Sequence, residues 1–324
     1  MTRPYEGLTP DIVLDALDSV GLRGDGRLLA LNSYENRVYQ VSLEDGGYVV
    51  AKFYRPERWS DAQILEEHAF ALELAGREIP VVAPQQVQGK TLNEFKTFRF
   101  AVYPRRGGRA PELEDEKALE WIGRFLGRIH AAGSARPFQH RPALNVETFG
   151  TEARDWLATS GMVAADLQQV WLGVVDLALS RVKKAFEEAT PLKTIRLHGD
   201  CHVGNILWTD NGPHFVDLDD ARTGPAVQDL WMLLSGERNA AAKGLRKLLD
   251  GYRQFHEFDE RQLALIEPLR TLRLLHYSAW LAKRWDDPAF PAAFPWFGTQ
   301  RYWQDRILEL REQTAAMDEP PLAL

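Results

Sequence analysis

Two stretches, HGDCHVGNILW at residues 198–208 and FVDLDDAR at residues 215–222, decide how this chain is read. Between them lies Thr209-Asp210-Asn211-Gly212-Pro213, a turn-forming run. With Asn211-Gly212 turning the chain, Ile206-Leu207-Trp208 is expected to pair antiparallel with His214-Phe215-Val216. That pairing brings Asn205 and Asp217 nearly opposite one another. Mg2+ prefers hard oxygen donors and takes one or two from the protein, with phosphate oxygens and water completing its shell, so these two suffice. Asp200, on the loop before the first strand, is expected to face an acceptor hydroxyl as base or orienting group. An aspartate, an asparagine five residues on and a second aspartate beyond a tight turn form the layout of Mg-dependent phosphoryl transfer from ATP. The duller reading makes all three polar turn residues, which leaves their spacing unexplained.

Composition fits an enzyme of this kind. At 324 residues with 45% hydrophobic side chains, the chain can bury a large core and form two lobes. A net charge of -7 and a pI near 5.7 argue against sequence-independent binding to nucleic acid. One cysteine, Cys201, excludes an internal disulfide framework, and the opening MTRPYEGLTPDIV lacks the apolar stretch of a signal peptide. No run reaches the length of a membrane span. The expectation is a cytoplasmic monomer with neither membrane nor nucleic acid as partner.

The chain changes style near Pro104. Before it, β-rich runs dominate: RVYQVSL, the turn Glu44-Asp45-Gly46-Gly47, YVVAKFY and FRFAVYP. One helix interrupts them, starting at Ser60 or Asp61 and stopping at Gly76. After it, apolar residues recur at helical spacing in KALEWIGRFLGRIHAAG, VWLGVVDLALSRVKKAFEEA, VQDLWMLLSG and LIEPLRTLRLLHYSAWLAKRW. The fold class is therefore α+β and bilobal, protein-kinase-like, with a β-rich N-terminal nucleotide-binding lobe over residues 1–103. A mainly helical catalytic and acceptor-binding lobe follows over residues 104–324, with a cleft between the lobes and the catalytic hairpin in the helical half.

Within the first lobe, Lys52 follows the apolar run Tyr48-Val49-Val50-Ala51 and matches the strand lysine that meets the α- and β-phosphates in kinases. Glu67 is the expected helix partner of that lysine. Glu66 points about 100° away around the helix, so only one of the two should face inward. No GxGxxG loop occurs here, which argues against a conventional eukaryotic-type protein kinase. Its place is taken by LNSYENRVYQV, where Ser33, Tyr34, Glu35 and Asn36 suit a turn offering amides and the Ser33 hydroxyl to phosphate. A ligand-free polar turn is the competing reading. Adenine is expected against the connecting strand at Ala101, Val102 and Tyr103.

LHGDCHVGNILW together with FVDLDDAR resembles the aminoglycoside phosphotransferase and choline kinase-like group. The longer strings LNSYENRVYQ, AKFYRPERW, ILEEHAFAL, FVDLDDARTGPAVQDLWMLL and DPAFPAAFPWF resemble one branch of it, the bacterial stress-response kinases, over most of the chain. That resemblance implies a cytoplasmic serine/threonine protein kinase that autophosphorylates and protects cells under stress. By position, it makes Asp200 the proton acceptor, Asn205 and Asp217 the Mg2+ ligands, and Ser33 a residue at the ATP phosphates. The partner would be a protein bearing a Ser/Thr hydroxyl. The rival acceptor is a small-molecule alcohol of the aminoglycoside, choline or homoserine type, and a catalytically idle nucleotide-binding scaffold is a further rival.

Other residues read more simply. His198, Cys201, His202 and His214 match no common zinc spacing, Cys201 reads as an inert thiol, and His130 as a packed helix residue. Asp219 and Asp220 suit either a second metal or cationic acceptor, or caps of the next turn. Trp280, Trp285, Trp296 and Trp303 read mostly as core, with some bordering an acceptor groove.

Overall fold

The computed structural model describes residues 4–324; residues 1–3, where the expected first lobe and the reading of the N-terminus begin, lie outside the described residues. First come helix α1 (Pro10–Asp18), strands β1 (Gly24–Leu31), β2 (Arg37–Leu43) and β3 (Tyr48–Phe53), helix α2 (Asp61–Gly76) and strands β4 (Asn93–Phe95) and β5 (Phe98–Pro104). Next are helices α3 (Glu116–Gly133), α4 (Glu152–Thr159) and α5 (Gln168–Glu188), and strands β6 (Thr194–Leu197), β7 (Ile206–Thr209), β8 (Gly212–Phe215) and β9 (Arg222–Pro225). Helices α6 (Val227–Trp231), α7 (Arg238–Tyr252), α8 (Ile266–Lys283), α9 (Ala289–Ala293) and α10 (Gln300–Ala316) complete them. The α+β class expected from the sequence is the class observed. Among the described residues no helix is long and apolar enough to cross a membrane.

The chain divides into two compact units. The first takes the residues up to Pro111, together with Gln139–Arg141 and Val203–Asp220. Its antiparallel sheet runs in the order β1-β2-β3-β5-β4. Because side chains alternate across a strand, Val49, Ala51 and Phe53 of β3 share one face with Phe100 and Val102 of β5. Helix α1, which the sequence reading did not single out, covers that face with Val13, Ala16 and Leu17. Lys52 falls on the opposite face, directly paired with Ala101. Helix α2 starts where the Ser60–Gln63 capping box satisfies its first amides, and it buries Ile64, Glu67, His68, Ala71 and Leu74 at helical spacing.

The β7–β8 hairpin forms, with one correction. Thr209 pairs with Gly212, so the central residues are Asp210 and Asn211 rather than Asn211 and Gly212. Gly212, at φ +95°, occupies the left-handed position after them that a residue with Cβ resists. The hairpin was expected within the helical half, yet it joins the first unit. Phe215 N donates to Pro80 O at 2.7 Å and Val82 N to Phe215 O at 2.9 Å, while Trp208 and Arg109 exchange backbone hydrogen bonds.

The second unit comprises Glu112–Phe138, Pro142–His202 and Ala221–Leu324. Helices α3 and α7 meet backbone to backbone because glycines line the crossing. A Cβ on Gly251 would lie 1.9 Å from Glu120 O, and one on Gly123 would lie 2.0 Å from Leu248 O. Strands β6 and β9 pair antiparallel beside them, Leu197 opposite Arg222. The tryptophan expectation holds only in part: Trp303 is fully buried, whereas Trp296 is 45% exposed.

Candidate active site

In the first unit the site is built around Lys52. Its Nζ donates to Asp217 Oδ1 at 2.8 Å and lies 3.2 Å from Asp219 Oδ1. Burial alone would lower the ammonium pKa, but the Asp217 and Asp219 carboxylates outweigh it and hold Lys52 well above its ordinary value. Lys52 therefore stays charged. Asp217 follows β8 in the left-handed region at φ +59°, a conformation tolerated by aspartate but uncommon outside turns and functional sites. Asn205 O accepts from Val216 N at 3.0 Å, so Asp217 stands one position beyond Asn205's partner in the hairpin register.

Asp219 is the residue that sequence reasoning undervalued. It caps no helix and faces no solvent: it is 3% exposed and surrounded by this chain's own cations. Its Oδ2 accepts from Arg58 Nη1 and, at 3.2 Å, from Asn36 Nδ2, while its backbone carbonyl accepts from Arg141 Nη2. Asp220 Oδ1 takes the other Arg58 nitrogen at 2.9 Å. Although burial pushes the Asp219 carboxyl up, Lys52 and Arg58 hold it well below the usual carboxylate range. The available signal was DLDD itself, three acids crowded into four residues, of which Asp219 is the one taken out of solvent.

The two helix glutamates have separate tasks. Glu67 is buried, and burial raises its pKa to about 7 against the pull of Lys52. The expected Lys52–Glu67 ion pair is corrected here: the lysine's ion pairs go to Asp217 and Asp219 instead, the side chains that reach it from the segment after β8. Glu67 Oε2 lies 3.7 Å from His68 Nε2, and burial lowers that imidazole to about 3. Glu66 accepts three consecutive backbone amides, from Gln139 at 2.5 Å, His140 at 2.7 Å and Arg141 at 2.8 Å.

Ser33 lies half-buried on the link between β1 and β2. That link is tied to the lysine cluster by Asn36, whose Oδ1 accepts from Arg55 N at 3.1 Å and whose Nδ2 reaches Asp219. On β5, Ala101 is buried and Tyr103 OH lies 3.0 Å from Tyr54 OH. The Val102 carbonyl, one of the groups expected to meet a base, accepts from Gln85 N at 2.7 Å.

In the second unit Asp200 follows β6, just after Gly199 at φ +85°. The loop is held from beneath by Asp229, which is fully buried on α6. Asp229 Oδ2 accepts from His198 N at 2.8 Å and Oδ1 from Gly199 N at 2.9 Å. His130 Nε2 lies 3.0 Å from Asp229 Oδ2, and His130 Nδ1 lies 2.9 Å from Tyr252 OH. An acid inside the apolar run VQDLWMLL was the readable sign of this anchor. Cys201 is buried, and burial with the Asp229 and Asp200 charges pushes its thiol well up. Asp200 Oδ1 accepts from Arg273 Nη1 at 2.7 Å.

The family described as "Phosphotransferase enzyme family" matches residues 27–266. Stress response kinase A of Escherichia coli (strain K12) is 47% identical over 320 residues, covering 99% of this chain and 97% of that protein. Serine/threonine protein kinase RdoA of Salmonella typhimurium (strain LT2) is 46% identical with the same coverage. Among solved structures, amicoumacin kinase hAmiN, in complex with AMP-PNP, Ca2+ and Ami, has a similar fold with a TM-score of 0.72 at 19% identity. That likeness covers 97% of this chain and 94% of that one. On the span of the family match and the near-complete coverage by its relatives, this chain belongs to the phosphotransferase enzyme family.

Proposed function

We propose that this chain is an ATP- and Mg2+-dependent serine/threonine protein kinase that autophosphorylates and acts in bacterial stress response, as a cytoplasmic monomer. Support comes from relatives of that name at 46–47% identity over nearly their whole length. The observation that carries the chemistry is the 2.8 Å contact from Lys52 Nζ to Asp217 Oδ1, a phosphate-binding cation coupled to a metal-binding anion. The donor set suits Mg2+: Asp217 has a half-exposed carboxylate, and among the described residues its one ion pair runs through Oδ1. Asn205 and Asp217 would hold the ion, which supplies neutralisation of charge on the phosphates.

Lys52 binds the α- and β-phosphates, Ser33 donates to a phosphate oxygen, and adenine lies along Ala101 and Tyr103. Glu67, buried near Lys52, favours the ammonium where it is ionised, above about pH 7. Asp200 takes the proton of the acceptor hydroxyl as its oxygen bonds to the γ-phosphorus. The bond from that phosphorus to the bridging oxygen breaks, and its electron pair leaves on ADP.

Asp200→Asn is expected to keep ATP affinity while lowering phosphoryl transfer on the order of a hundredfold or more, measured with γ-labelled ATP. Near-normal turnover would remove Asp200 from this role. Incubation with label, alone, with generic protein and with a panel of small alcohols, shows which acceptor class is used.

A further inference from the structure

Asp200's neighbours within the second unit bear on the acceptor, an inference that rests on reading Asp200 as the group that takes the hydroxyl proton. Arg273, on α8, holds Asp200 Oδ1 at 2.7 Å, with the arginine side chain 40% and the aspartate 24% exposed. His202 Nε2 lies 3.5 Å from Asp200 Oδ2. A charge-assisted hydrogen bond to one oxygen restrains the carboxylate's rotation without occupying the other oxygen. The same guanidinium places a positive charge, still partly open to solvent, beside the atom that any acceptor must approach.

Tyr277 follows Arg273 by four residues and so shares its face of α8, about one turn along. It lines a cavity of about 340 Å³ with Trp296, Tyr302, Arg301 and Arg306. Aromatic walls of this kind attract ammonium groups when their faces are open. Here the Arg306 guanidinium lies 5.2 Å from the Tyr302 ring centroid, and Tyr277 stacks on Trp280 with centroids 5.7 Å apart. Asp305, the carboxylate lining the cavity, lies 3.7 Å from Arg301 Nε. Arg306 is itself paired with Glu309, as Arg301 is with Asp305, so the charge that bears on an acceptor at Asp200 is that of Arg273.

We propose that Arg273 positions Asp200 and selects acceptors by charge, so that the phosphorylated hydroxyl belongs to a neutral or acidic acceptor and not to a cationic amino alcohol. Atoms balance as in the step above: the acceptor oxygen gains the phosphoryl group, ADP leaves with the electron pair, and the proton passes to Asp200.

The test uses the full chain with γ-labelled ATP and four acceptors: a serine peptide flanked by glutamates, the same peptide flanked by lysines, glycerate and choline. Wild type is expected to favour the glutamate-flanked peptide or glycerate, and whichever is used tells a polypeptide from a free anion as the source. Arg273→Met should lower kcat about tenfold, leave KM for ATP within about twofold, and raise the relative use of the lysine-flanked peptide and choline about tenfold. Arg273→Lys, which keeps the charge without the planar guanidinium, should restore the charge preference but only part of kcat. Wild-type preference for choline or the lysine-flanked peptide, transfer to none of the four, or an Arg273→Met enzyme matching wild type in rate and preference would overturn the proposal. Near-UV circular dichroism verifies that the variants fold. An Asp200→Asn control tells the two failures apart: if it turns over normally, the assignment of Asp200 itself is wrong.

Discussion

Glu67 and His68 are adjacent, both buried, and titrate in opposite senses. For Glu67, the folded carboxyl with a pKa of about 7 keeps its proton across a range where the unfolded one, near 4.5, has lost it. Its contribution to stability is therefore present below about pH 4.5 and is lost as pH rises towards 7. His68 is neutral down to about pH 3, so its contribution is lost as pH falls from about 6.5. Glu67→Gln cannot lose a proton and leaves His68 as it was. Relative to wild type, that variant should gain on the order of 2 kcal/mol between pH 5 and pH 8, read from urea midpoints at the two pH values. An unchanged difference would mean that Glu67 does not hold a proton in the folded protein. At this scale the sequence was legible in residue type and spacing, as with Lys52 and Asp217. It was less legible in partnership, because which carboxylate meets Lys52 depends on a chain segment some 165 residues away.

Among the elements, the crossing of α3 and α7 supports the loop that carries Asp200. Those helices carry His130 and Tyr252, which reach the loop's backbone through Asp229. Gly251→Ala would push a methyl group into Glu120 O and force the pair apart. A loss of about 1–3 kcal/mol is expected from chemical denaturation, together with weaker phosphoryl transfer as the loop loses its anchor. Stability equal to wild type would show that the crossing can relax. Helical periodicity made α3 readable and Ser60 marked the start of α2, whereas α7 was not singled out in the sequence. The placement of the β7–β8 turn was harder to read, since Asn211-Gly212 looks like the centre until the left-handed residue is assigned to the position after it. Helix α1 lacked long-range signal because its partner face lies on strands that had first to be assembled.

Across the whole molecule, the chain order conceals how the first unit is completed. Residues up to Pro111 contain the sheet, α2 and Lys52, but the partners of their buried charges come from Gln139–Arg141 and Val203–Asp220. A fragment ending at residue 111 would leave Lys52 and Arg58 without Asp217, Asp219 and Asp220. Arg58 would keep only Glu35, 3.7 Å away, while Lys52 would lose both its ion pairs; an unpaired buried cation costs several kcal/mol, which a unit of this size cannot absorb. Such a fragment is expected to show no cooperative thermal transition by circular dichroism, whereas the full chain unfolds sharply. A sharp transition in the fragment would show that the network is dispensable for folding. The change of style at Pro104 revealed the two kinds of sequence. It could not reveal that a hairpin lying among helical segments builds onto the sheet-bearing unit.

Glu66 grips residues 139–141 through peptide nitrogens alone. A clasp made to the main chain is indifferent to which side chains hang from it, so at 139 and 140 evolution is free to substitute almost anything. Proline, which brings no hydrogen on its nitrogen, is the exception.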